Sequence, residues 1–161
     1  MVRWRSITGL AKGVAVVHEL VSKRLFDDAV SKLGKPLLTL REWSINSADY
    51  PILDVTFGAS GTSPFRLRLQ CDDWDDQPPS IVFLTLEGEP RDSITQDPKG
   101  IFNASNHELT GRPFVCTPGS REYHTHSSHL TDDWSNYKNK SDFDLGGILT
   151  KLWRAWKMIP K

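Results

Sequence analysis

Two rhythms of apolar and polar positions run along this 161-residue chain, one with the period of a helix and one with the period of a strand. Leu10, Val14, Val17, Val21, Leu25, Ala29 and Leu33 recur at helical spacing, and Gly34 followed by Pro36 supplies a stop. A first helix over about residues 12–33 is predicted, with Gly9 and Gly13 blurring its start. Leu37 to Ser44 reads as a first strand, with its alternation interrupted by Leu37-Leu38 and Trp43. Leu53, Val55 and Phe57 alternate cleanly in the next. The stretch Gly58 to Pro64 is a turn. Phe65-Arg-Leu-Arg-Leu-Gln-Cys71 then shows the strictest period of two in the sequence. It predicts a half-buried antiparallel strand with Phe65, Leu67, Leu69 and Cys71 inward and Arg66, Arg68 and Gln70 outward. A further strand, Ile81 to Leu86, is entered through Pro78-Pro79.

Between Leu86 and Gly111 the chain is polar, rich in Asp, Asn, Pro and Gly, and shows no period, which predicts a long surface loop of the functional kind. Order returns at the C-terminal end. Ser141 with Asp144 makes a start resembling a capping box, and Leu145, Ile148, Leu149, Leu152, Trp153 and Trp156 form an apolar stripe for core packing. The expected fold is α+β in a single domain over residues 1–161: an N-terminal helix, a four-stranded antiparallel meander, a long active-site loop and a C-terminal helix.

Charge and length narrow the function. Twenty basic residues balance twenty acidic ones, and the basic ones are dispersed, which argues against nucleic acid or an anionic membrane as partner. No apolar run approaches a membrane span, and Met1-Val-Arg-Trp-Arg5 lacks a signal-peptide core, so a cytoplasmic location is expected. There both cysteines, Cys71 and Cys116, are thiols, and Cys71 reads as core filling. The acidic run Asp72-Asp73-Trp74-Asp75-Asp76 reads as a solvated hairpin connection rather than a cation site, because adjacent side chains diverge.

The densest chemistry lies in Cys116-Thr-Pro-Gly-Ser-Arg-Glu122-Tyr-His124-Thr-His126. In an extended backbone Glu122, His124 and His126 project to one face, whereas a helix would swing His124 away from the other two. The turn Thr117-Pro-Gly-Ser120 could fold them back toward the sulfur. Cys116, Glu122, His124 and His126 would then suit zinc as four ligands, structural if all four bind and hydrolytic if water displaces one. They would equally suit a nucleophilic thiol, with an imidazole to activate it and the glutamate to orient that imidazole. His129, three residues further on, reads as a surface residue.

Tyr50-Pro-Ile-Leu-Asp-Val-Thr-Phe57, Phe65-Arg-Leu-Arg-Leu69, Pro78-Pro-Ser-Ile-Val-Phe83 and Gly111-Arg-Pro-Phe-Val-Cys116, in that order after a helix, resemble the ubiquitin-conjugating enzyme fold. Trp134 and the helix starting near Phe143 resemble the tryptophan and helix that follow the cysteine there. Cys116, Glu122, His124 and His126 also match, in order, the four residues of a bacterial domain described as a predicted metal-binding Cys-Glu-His-His domain and associated with ubiquitin-like conjugation operons. The resemblance implies a bacterial pathway in which an activating enzyme loads a ubiquitin-like modifier onto Cys116 as a thioester for transfer to an amine. In that reading His124 activates the thiol or the amine, Glu122 orients it, and His126 adds a polar contact to the tetrahedral intermediate. The family's His-Pro-Asn motif is missing; this chain has Asn106-His-Glu108 in that region. A zinc-binding domain of the same pathway and a noncatalytic modifier-binding module are the alternatives.

Overall fold

The computed structural model describes residues 9–58 and 63–160, with side chains from residue 18 onward. The turn predicted at 58–64 therefore lies mostly outside the described residues, as do Met1 to Arg5 and the side chains of Leu10, Val14 and Val17. Helix α1 covers Gly9–Ser31 and is followed by α2, Lys35–Arg41. Four strands come next: β1 Trp43–Ser47, β2 Ile52–Phe57, β3 Phe65–Gln70 and β4 Ser80–Leu84. A two-residue hairpin pairs β5, Phe102–Asn103, with β6, Phe114–Val115. A one-turn helix α3, Arg121–Thr125, and the C-terminal helix α4, Leu145–Lys157, complete the order, with short 3-10 turns at Ser127–His129, Trp134–Asn136 and Ser141–Phe143. The expected α+β arrangement is what forms: a helix, a four-stranded antiparallel sheet in the order β1-β2-β3-β4, and a closing helix.

Strict alternation carries the sheet. Val55 faces Leu67 and Leu67 faces Phe83 across antiparallel ladders, so one face is apolar. Leu53, Val55, Phe57, Phe65, Leu67, Leu69, Cys71, Ile81 and Phe83 are all buried there. Burial drives the Cys71 thiol far above the ordinary range, in keeping with core filling. On the opposite face Arg66 and Arg68 converge on the Asp54 carboxylate at 2.9 and 3.3 Å. Helix α4 presents Leu145, Ile148, Leu149, Leu152, Ala155 and Trp156 to the core, as its stripe predicts. Trp156 lies 5.9 Å from Phe57 and Trp153 6.4 Å from Trp43, so the helix braces the sheet through aromatic contacts. Asp144 caps it by accepting from the Gly147 amide at 2.7 Å, while Ser141 opens the preceding 3-10 turn instead of the helix.

Three expectations give way. The apolar stripe of α1 is offset: Ser22, Phe26, Ala29 and Leu33 are buried, whereas Val21 is 54% and Leu25 39% exposed. The segment assigned to a first strand, Leu37 to Ser44, is instead α2 followed by β1. Pro36 sits in the first helical turn, where its missing N–H costs nothing, and Glu42 in a left-handed conformation ends the helix. The acidic run is not merely a solvated connection: Trp74 is buried against Trp134, whose indole N–H donates to the Asp75 carbonyl at 2.8 Å. Among the described residues no helix is long and apolar enough to cross a membrane.

Candidate functional site

Phe102 fastens the β5–β6 hairpin to the sheet. Its ring stacks on Phe65 at 5.3 Å and meets Phe83 edge-on at 5.2 Å. The loop from Leu86 to Gly111 is thus not simply a surface loop, for Phe102, Asp97 and His107 within it are buried. The buried Asp97 carboxylate holds the loop's shape by accepting from the Phe102 and Lys99 amides at 2.6 and 2.9 Å. Cys116 follows β6 directly and its amide donates to the Ile101 carbonyl at 2.8 Å, leaving the thiol half-buried at the end of the hairpin.

The turn after Cys116 does fold the chain back, but into a helix. Gly119 has φ 102°, and a Cβ there would come within 3.3 Å of Ile148 and Phe143, so glycine is needed for both backbone and space. Ser120, fully buried, donates its hydroxyl to the Val115 carbonyl at 2.6 Å and accepts from the Tyr123 amide at 3.1 Å, capping α3. Glu122, His124 and His126 therefore do not line one face as an extended segment would arrange them. A local serine cap outweighs an alternation only five residues long.

Each residue of that set has its own place. The Glu122 carboxylate, 5% exposed, accepts from the Ser80 hydroxyl and from the Ile81 amide at 3.0 Å. It pins α3 to β4 rather than orienting an imidazole. Burial pushes its pKa up, with Ser80 and Ile81 pulling partly back. His124 donates from Nδ1 to the Asp132 carbonyl at 2.7 Å, and its ring lies among Tyr123, Trp134 and Tyr137 with Nε2 buried and unpartnered. His126 stacks on Phe114, accepts at Nδ1 from the Ser128 hydroxyl and amide, and turns Nε2 toward Glu108 Oε1 at 3.6 Å.

The imidazole beside the sulfur belongs to His129. Its Nε2 lies 3.8 Å from Cys116 Sγ, the long end of an S–H···N contact, so the surface assignment of His129 is corrected. Its ring stacks on Tyr123 with centroids 4.0 Å apart and planes at 17°. Tyr123 and Tyr137 both donate their hydroxyls to Asp132, each at 2.8 Å to Oδ2. Those two bonds, Tyr123's first, hold the Asp132 carboxyl below its usual range, and burial followed by the Asp132 bond drives the Tyr123 phenol up to about 12. The Cys116 thiol is raised by burial and pulled partly back by a hydrogen bond from the Asn103 side chain.

Sequence reasoning missed Asn103, His107, Glu108, Tyr123 and Asp132. His107, 1% exposed, donates from Nε2 to the Glu122 carbonyl at 2.9 Å and accepts at Nδ1 from the Leu109 amide at 3.1 Å, locking the hairpin loop to α3. Glu108 accepts from Ser127 at the start of the His129 turn. None of these carried a local signal: His107 and Glu108 reach partners 15 and 19 residues away, and Tyr123 meets Asp132 nine residues on only because the intervening turns close.

The four-ligand zinc set does not assemble in this geometry. Glu122 is bonded to Ser80 and Ile81, and among the described residues no group of three or more His, Cys, Asp or Glu is placed to share a metal ion. What the arrangement offers chemically is a half-buried thiol with an imidazole and a carboxamide beside it. No curated protein matches the chain. The model of the Y4jH-like (Y4jH) family matches residues 100–159, the stretch that runs from the hairpin through Cys116 and His129 to the end of α4.

Proposed function

We propose that this chain is an atypical ubiquitin-conjugating-enzyme-like protein that carries a ubiquitin-like modifier as a thioester on Cys116 and passes it to an amine. The contact that carries this reading is Cys116 Sγ to His129 Nε2 at 3.8 Å, on a half-buried thiol at the end of a hairpin. The meander flanked by helices, with the cysteine following a long loop, fits the same reading. In the loading step the Cys116 sulfur attacks the carbonyl of the incoming acyl group, its proton passes to His129 Nε2, and the activating enzyme's group leaves. In the transfer step a substrate amine forms the C–N bond, the C–S bond breaks, and the amine's proton returns through His129 to the sulfur. The Asn103 side chain, which pulls the Cys116 pKa partly back down, would be the carboxamide to donate to the oxygen that gains charge between these states. The thiol's raised pKa suits a site that needs a base at hand rather than a standing thiolate.

Reconstitution with a candidate activating enzyme and its ubiquitin-like modifier tests the proposal. Intact-mass analysis should find a thiol-reducible adduct on the wild type and a reductant-resistant oxyester on Cys116→Ser. His129→Ala should slow discharge to a free amine by about 100-fold, the usual worth of a positioned acid–base group. A reducible adduct that persists in Cys116→Ala removes Cys116 from the mechanism. The zinc alternative would require Glu122 to leave Ser80 and Ile81. Its remaining support is the His124 Nδ1 bond to a backbone carbonyl, an orientation common among metal-ligating histidines. Near-equimolar zinc in the purified protein, lost together in Cys116→Ala and His124→Ala, would favour it over acyl transfer.

A further inference from the structure

We infer that Tyr123 is a positioning residue for the Cys116 chemistry: its ring face is the platform that holds the His129 imidazole against the sulfur, and Asp132 anchors that platform. This rests on the reading of Cys116 as the acyl carrier. His129 sits at the end of a three-residue 3-10 turn, with no longer helix or strand to fix its side chain. Its ring has two described partners besides the sulfur: Tyr123, stacked at 4.0 Å and 17°, and His126, tilted at 5.9 Å. The Tyr123 ring is itself fixed from both ends. Its backbone amide donates to the buried Ser120 hydroxyl, and its phenol donates to Asp132.

Asp132 is held in turn by every polar group it has. Its carboxylate takes Tyr123 and Tyr137, its carbonyl takes His124 Nδ1, and its amide donates to the His129 carbonyl at 2.9 Å. The loop that carries His129 is thereby closed on the ring that supports it. His124 acquires a task in this arrangement: it braces Asp132 rather than reaching the sulfur. A base whose ring can swing loses alignment with the proton it must take, and a misplacement of about 1 Å can cost about 100-fold in rate. Stacking leaves the imidazole nitrogens free while fixing the ring plane, which a hydrogen bond to Nε2 could not do.

Alkylation of Cys116 by iodoacetamide reads this without any modifier. In the step, sulfur displaces iodide to form a C–S bond, and the thiol proton goes to His129 or to solvent. At neutral pH, Tyr123→Leu should slow alkylation by about tenfold, approaching His129→Ala, and Tyr123→Phe, which keeps the stacking ring but loses the Asp132 anchor, should fall between that variant and the wild type. At strongly alkaline pH, where the thiolate forms without help, all the variants should converge, which separates lost activation from lost access. Tyr123→Leu that melts lower but alkylates like the wild type at neutral pH overturns the proposal, as does Tyr123→Phe no faster than Tyr123→Leu. Should the leucine variant not fold, the wild type itself decides: ring current from Tyr123 should move the carbon-bound His129 protons upfield of their positions in an unstructured peptide, and unshifted protons overturn the stack. A wild type that never forms an acyl adduct would sink the proposed function and leave these alkylation results standing.

Discussion

The sheet with α4 and the segment from Phe102 to Tyr137 are built from different forces. In the first, buried positions are almost all apolar, and one cluster joins Phe26 of α1, the inner faces of β2 to β4 and the stripe of α4. In the second and the loop that leads into it, Asp97, His107, Ser120 and Glu122 are buried, and each bonds a backbone group of a neighbour, Glu122 the Ser80 hydroxyl as well. The sheet is held by non-directional burial, which tolerates shape-conserving change. The site region is held by directional bonds whose loss leaves a buried partner unsatisfied. A thiol that must stay partly open to solvent cannot be positioned by apolar packing alone, and the polar lattice around it serves instead.

The largest expected effect lies in the sheet. Leu67→Ala, at a fully buried position between β2 and β4, should cost about 2–5 kcal/mol in urea unfolding. Until the protein unfolds it should leave the neutral-pH alkylation rate of Cys116 unchanged. A large change in that rate in the folded variant would break the separation of the two regions.

Glu122→Ala should follow, at about 1–3 kcal/mol, because the Ile81 amide and the Ser80 hydroxyl lose their acceptor. Glu122→Gln keeps an oxygen for Ile81 and a donor for Ser80, so it should recover most of the loss. The two forms should also differ with pH. The folded Glu122 pKa lies above its unfolded value, so the folded state binds the proton more tightly. Its contribution to stability therefore falls as pH rises from the ordinary carboxylate range through the raised folded value. Urea midpoints of the wild type and Glu122→Gln, compared from about pH 4 to pH 8, should show that fall in the wild type alone. Parallel curves would mean that Glu122 is not held as the structure places it.

Ser120→Ala removes the cap of α3 and should cost about 1 kcal/mol in the same assay. Its sharper readout is the site: with Tyr123 less firmly held, alkylation at neutral pH should slow while Leu67→Ala leaves it alone.

The smallest effects belong to surface pairs. Arg121 pairs with Asp72 at 3.0 Å with both side chains partly exposed, and Arg121→Gln should cost under about 1 kcal/mol. His18 of α1 bonds Asp76 at 2.8 Å and lies 3.3 Å from Asp73, and the Asp76 bond raises its pKa. That contribution is present below the unfolded histidine value and disappears as pH rises through the folded one. The midpoint difference between wild type and His18→Gln should shrink accordingly between acidic and mildly alkaline buffer.

The amino-acid sequence by itself determined the elements whose side chains obey a single period over at least six residues. Phe65 to Gln70 had only one way to bury Phe65, Leu67 and Leu69 together, and Leu145 to Trp156 likewise offered a single apolar stripe, so both formed as their patterns require. Cys116 was also legible as the thiol of the candidate site, since its residue type and its turn are local facts. Where two patterns competed, tertiary structure chose. In α1 the bulky Phe26, not Val21 or Leu25, turned to the core, because a helix can rotate to bury its largest ring. In the Glu122 to His126 stretch, a buried serine cap and two hydrogen bonds from β4 imposed a helical turn on residues that alternate like a strand. Which imidazole meets the sulfur depended on how α3 and the next turn close on Asp132. That closure is made of ring stacking and side-chain bonds across folded loops, and no spacing along the chain records it.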